Sequence, residues 1–95
     1  MLDPRSLEEL DSVGPRTAED LARLGIRRVE DLRGQDAHSL WQRLCRETGR
    51  RHDPCVEDVL AAAIAQAEDP DVPPERRKWW YWSRVRRQRR DPAAN

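Results

Sequence analysis

Cys45, His52 and Cys55 crowd one short stretch of the chain, with His38 a little upstream. Cys and His are the preferred ligands of zinc, and a structural zinc site takes four ligands. These residues are an incomplete set. On a helix, His38 and Cys45 would sit about 10 Å apart along the axis, which a single metal cannot easily span. Redox sensing is the other chemistry open to the group. Cys55 would stand in the first turn of a helix, near Arg50, Arg51 and His52, where the helix dipole and nearby cations favour thiolate. The plainer use of a reduced cysteine is as a small core residue. Both cysteines fit the apolar stripes of their helices, so the expectation is no metal and no cofactor.

A second kind of chemistry is phosphate binding. Ser12-Val13-Gly14-Pro15 breaks one helix-like stretch from the next and is followed at once by Arg16 and Thr17. At a helix N-terminus several backbone N–H groups lack an internal acceptor, and the dipole there favours an anion. Gly14 offers no side chain to obstruct the approach, and Arg16 and Thr17 add a charge and a hydroxyl. Arg50 and Arg51 stand at a later turn. Lys78-Trp79-Trp80-Tyr81-Trp82 precedes Arg84, Arg86 and Arg87, a mixture of aromatic and basic residues suited to charge and base stacking. No paired carboxylates, nucleophile–base set or nucleotide loop stands out, so no enzyme is expected.

The charge distribution fits that picture. Residues 1–75 hold 10 basic and 17 acidic side chains and residues 76–95 hold 8 and 1, so the net charge of zero hides a split of −7 and +7. Blocks of one sign often mark interaction segments. Charged residues make up 38% of the chain and Phe is absent, so the core must rest on Leu, Val, Ile, Ala and Trp. The use of Arg almost to the exclusion of Lys fits a GC-rich bacterial gene. No secretory signal or membrane-spanning run is apparent, and the expected compartment is the cytoplasm.

The elements that must position these residues are all helical. Asp3-Pro4 predicts a first short helix to about Ser12, with Asp capping it and Leu2 and Leu7 as a hydrophobic staple. Pro15 opens a second helix with Ala18, Leu21, Ala22 and Leu24 on one face, ended by Gly25. A helical turn follows at 28–33. Asp36 caps a third helix whose stripe is Ala37, Leu40, Trp41, Leu44 and Cys45, closed by Gly49. Asp53-Pro54 opens a fourth along Cys55, Val56, Val59, Leu60, Ala63, Ile64 and Ala67. Residues 70–74 read as a Pro-rich linker. Residues 75–90 read as a Trp-rich basic segment, helical and docked through Trp79 or Trp82, and residues 91–95 as a disordered tail. No strand pattern is present.

The run Leu10 to Ala18, followed by Leu24-Gly25-Ile26 and Val29-Glu30-Asp31-Leu32, resembles a helix-hairpin-helix DNA-binding motif. Val13 and Gly14 match its turn, and Ser12 stands where a first glycine is usual. The motif is also similar to the C-terminal domain of TfoX-type competence regulators. Beyond it, Leu44-Cys45, Thr48-Gly49, Arg51 to Val56 and Lys78 to Trp82 occur in an order that resembles the bacterial pathogenicity-locus family, some of whose members are labelled putative mitomycin resistance proteins. The resemblance implies an all-α, tandem helix-hairpin-helix (SAM-like) bundle of about five short helices over residues 1–69, and nucleic-acid binding. The expectation is therefore a non-enzymatic module that contacts the phosphates of double-stranded DNA largely without sequence preference, through Val13, Gly14, Arg16, Thr17, Arg50, Arg51, Arg84, Arg86 and Arg87. The alternatives are a protein-binding adaptor using the Trp cluster, or a redox or metal sensor using Cys45, His52 and Cys55.

Overall fold

The Asp and Pro punctuation of the sequence becomes helix starts at three places. In the computed structural model, which describes residues 3–90, α1 runs Pro15–Arg23, α2 Ala37–Thr48, α3 Pro54–Glu68 and α4 Trp79–Arg90. Short 3₁₀ turns at Leu7–Glu9, Val29–Leu32 and Pro74–Arg77 link them, and no strand occurs among the described residues. The Asp36 carboxylate accepts from the Ser39 amide at 2.9 Å and caps α2. The Asp53 carboxylate accepts from the Cys55 amide at 2.8 Å and caps α3. Gly49 ends α2 in the left-handed conformation, φ 69°, where a side chain would be strained.

Helix α3 is the centre of the fold. Helices α2 and α4 and the turns at 29–32 and 74–77 all pack on it. Leu60, Ala62, Ala63, Ile64, Gln66 and Ala67 are buried. The small side chains let neighbours approach it from several sides, so it lacks a single apolar face. The core adds Leu7, Leu10, Val13, Leu21, Leu24, Ile26, Val29, Leu32, Leu40, Trp41 and Leu44.

The expected first helix is reduced to the 3₁₀ turn Leu7–Glu9. Asp3 does not act as a cap. Its carboxylate takes Arg5 at 2.8 Å and Arg33 at 2.9 Å. The same arginines donate onward to the carbonyls of Gln66 and Ala67 at the end of α3. The segment thus serves as a C-terminal cap for α3, whose last carbonyls carry the negative end of its dipole. Leu2 and residues 91–95, and with them the staple and the disordered tail, lie outside the described residues.

The Pro-rich stretch is folded in as well. Val72 is buried, and Pro74 starts a 3₁₀ turn rather than ending a linker. Lys78 is extended, so the last helix begins at Trp79, not at Glu75.

Candidate functional site

The turn before α1 has an unusual backbone. Ser12 sits at φ 72°, in the left-handed region that costs a non-glycine residue about 1–2 kcal/mol. This accounts for a glycine preference at the position. Ser12 is held there by its neighbours. Its Oγ donates to the Arg77 carbonyl at 2.9 Å. The buried Gln66 amide grips both backbone groups of Asp11, accepting from its N–H at 2.8 Å and donating to its carbonyl at 2.9 Å. Lys78 Nζ reaches the Asp11 carboxylate at 3.5 Å. The turn is fixed from α3 on one side and the 74–78 segment on the other.

Gly14 is the N-cap of α1, extended at φ −100° and ψ −178°, and α1 has no side-chain cap. This differs from α2 and α3, whose first-turn amides are met by Asp36 and Asp53. A Cβ built on Gly14 would meet nothing within 4 Å, so the fold itself does not demand a glycine there.

The second turn is built on α2. The Trp41 indole N–H donates to the Asp53 carbonyl at 3.3 Å. The Arg51 guanidinium lies over the Trp41 ring at 5.9 Å. His52 Nε2 meets Thr48 Oγ1 at 2.7 Å, and the His52 amide donates to Cys45 Sγ at 3.4 Å.

These two turns face one cleft of ≈ 460 Å³, lined by Arg16, Thr17, Asp20, Arg50, Arg51, His52, Asp53, Cys55, Val56, Val59 and Trp79. The cleft gathers Arg16 and Thr17 from one turn with Arg50 and Arg51 from the other. Its cations share the space with Asp20 and Asp53. The Cys55 amide hydrogen bond keeps the Asp53 carboxyl below its usual range.

The remaining site residues separate. The Val13 side chain is buried in the core, so its part is to anchor the turn. Arg84 and Arg87 are exposed on α4 and do not line the cleft. Arg86 is already engaged within the fold. Its guanidinium makes two bonds, 2.9 and 3.1 Å, to Asp58, which is 1% exposed. The expectation for Arg86 is corrected: the arginine pins α4 to α3. Spacing alone gave no sign of this, because its partner is a lone acid among the apolar positions of α3.

The cysteine expectations change too. Cys45, His52 and Cys55 do not converge, since His52 turns to Thr48 while Cys55 stands exposed beside Asp53. Among the described residues no group of three or more His, Cys, Asp or Glu could hold a metal ion. The Cys55 thiol is pushed up, not down, chiefly by the Asp53 carboxylate and then by burial. The nearby acids and burial outweigh the lowering effect of Arg86.

Trp82 donates its indole N–H to the Arg76 carbonyl at 2.8 Å and, with Val85, lines a second recess between α2, α3 and α4. Trp79 and Trp80 remain 38% and 52% exposed. Sequence reasoning missed Gln66 and Asp58 because each is a single polar residue on a helix otherwise read for its apolar stripe.

The arrangement defines a small all-helical domain that presents arginines and aromatics from two turns and one helix. The chain belongs to the pathogenicity locus family, whose model matches residues 3–88. It is also similar to the mitomycin resistance protein McrB of Streptomyces lavendulae, with 34% identity over 56 residues, 59% of this chain and 50% of that protein. The chain thus spans about half the length of the curated relative it matches. No solved structure matches it. Among the described residues no helix is long and apolar enough to cross a membrane.

Proposed function

We propose that this chain is a non-enzymatic, cytoplasmic module that binds DNA through its phosphate backbone, largely without sequence preference. The turn at 12–17 acts as a helix-hairpin-helix contact for one strand, and Arg50 and Arg51 meet the other. The observation that carries this reading is the single cleft shared by Arg16, Thr17, Arg50 and Arg51, beside a helix start with no side-chain cap. Backbone amides and guanidinium groups match phosphate oxygens in charge and geometry. Contacts of this kind position a protein without reading bases.

The test is a fluorescence-anisotropy titration of labelled duplex DNA across salt concentrations. If Arg16, Arg50, Arg51, Arg84 and Arg87 all meet phosphates, log K falls against log salt with a slope of about −4.5. Replacing both Arg50 and Arg51 by Ala reduces that slope by about 2. No binding at low salt would sink the proposal. The exposure of Trp79 and Trp80 favours a second reading, an adaptor that docks on a protein through these rings. It expects no DNA binding at any salt concentration.

A further inference from the structure

Among the described residues, Trp79 and Trp80 are the large apolar side chains that the fold leaves exposed. Trp41 is buried and Trp82 has its indole N–H engaged, whereas these two are 38% and 52% exposed. Their rings meet edge to face, 6.0 Å between centroids. Trp79 lies on the wall of the cleft that holds Arg16, Arg50 and Arg51. Trp80 continues along α4 into Arg84 and Arg87, at i, i+4 and i+7, a spacing that puts all three on one helix face. Cations therefore flank the aromatic pair on both sides, along a path that leaves the cleft and follows α4.

We propose that the preferred ligand is DNA carrying unpaired bases beside a duplex, with the duplex backbone at the cleft and a single strand passing over Trp79 and Trp80 toward Arg84 and Arg87. The inference rests on the DNA-binding reading and deepens it. Two arguments favour it over continuous duplex. An indole needs a base face that is not already stacked, which unpaired bases supply and the interior of a duplex does not, and such stacking tolerates any sequence. The cleft's charge is also nearly balanced, with Asp20 and Asp53 set against three arginines, so phosphate attraction alone is modest there and a non-ionic contribution is needed. A protein surface would also cover the rings, but the arginines on both sides match a polyanion better.

The experiment compares a labelled blunt duplex with the same duplex bearing a single-stranded extension, both titrated with the full chain at low salt. The extended form binds at least about fivefold tighter, the lower bound for one stacked base. Replacing Trp79 and Trp80 together by Ala removes that preference, and Trp80→Ala, at a ring outside the cleft lining, reduces it while leaving blunt-duplex affinity unchanged. Replacing both by Phe retains part of it. Equal affinity of the unmodified protein for the two DNAs overturns the inference and leaves the DNA reading standing. A preference that survives in the Ala variant overturns it too. Absence of binding to either DNA overturns both, as the protein-partner reading expects. If circular dichroism shows that the double variant loses helicity, Trp80→Ala alone serves for the same comparison, because Trp80 is the more exposed ring.

Discussion

Giving α1 the cap it lacks should strengthen the fold and weaken the function together. Gly14 is extended at φ −100°, the conformation an N-cap Asp adopts without strain. A Cβ there meets nothing within 4 Å. In Gly14→Asp the new carboxylate accepts from the first-turn amides of α1, as Asp36 and Asp53 do for α2 and α3. Asp exceeds Gly as a cap by a few tenths of a kcal/mol, and its charge on the helix dipole adds about 0.3–1 kcal/mol. Stability should therefore rise by about 0.5–1 kcal/mol, read as a higher urea midpoint at unchanged slope. The same carboxylate occupies the donors offered to phosphate and places like charges about 4 Å apart. Their repulsion is about 1 kcal/mol in water and about 4 at an effective dielectric constant of 20. DNA affinity should drop at least about fivefold, since 1.4 kcal/mol is tenfold. A stabilised variant with undiminished affinity would refute the role given to these amides, and a destabilised one would refute the account of the missing cap.

Further outcomes follow from other contacts. Asp58→Asn should cost about 3–5 kcal/mol in a denaturant titration, because it leaves the Arg86 guanidinium in a protein site without its counter-charge; a loss below about 1 kcal/mol would show that water already satisfies the pair. Ser12→Ala should lose about 1 kcal/mol with its hydrogen bond, whereas Ser12→Gly should be near neutral, since relief of the left-handed backbone offsets the same loss. Equal losses in the two variants would dismiss the strain. Asp3, Asp36 and Asp53 are all held below the ordinary 3.8, by Arg5, Ser39 and Cys55 respectively. Their stabilisation is present above that value and is lost as pH falls below it, so the melting temperature should hold from pH 7 to about 5 and decline below about 4. Asp53→Asn, which keeps an acceptor at the cap, should speed alkylation of Cys55 at mildly alkaline pH by removing the carboxylate that chiefly holds its thiol up; an unchanged rate would refute that role for Asp53.

Local chemistry made much of the fold legible. Asp36, Gly49 and Asp53-Pro54 mark the ends of α2 and α3 because capping depends on neighbours one to four residues away. Long-range pairing was not legible. Asp3-Pro4 is a sound helix start in isolation, yet Asp3 is drawn to Arg33 across 30 residues. Arg86 sits in a basic run that suggests a solvated face, and its partner lies 28 residues back. For the site, spacing marks both turns, but only the packing of α1 against α2, and of α2 against α3, brings them to one cleft. Docking through Trp79 or Trp82 is the expectation from spacing, and Trp82 is the ring that engages the fold. Helix α4 packs on α3 with Ser83 buried, and Trp79 and Trp80 at its start stay exposed.

The arginines, alike in the sequence, divide by the acceptors that folding supplies. Helix C-termini take Arg43, on the Leu24 carbonyl, and Arg5 and Arg33, on α3. A buried carboxylate takes Arg86. Arg16, Arg50, Arg51, Arg84 and Arg87 stay exposed. The overall split of −7 and +7 therefore misstates the electrostatics that a ligand meets. Part of the positive C-terminal block is neutralised internally at Asp58 and Asp11, and cations from the acidic block reach the surface at the cleft. Over a Debye length of about 8 Å at physiological salt, a phosphate at the cleft responds to Arg16, Arg50 and Arg51 with Asp20 and Asp53 among them, not to the distant total. Such a balance makes a weak clamp, and the two exposed indoles at its edge are where the additional affinity would arise.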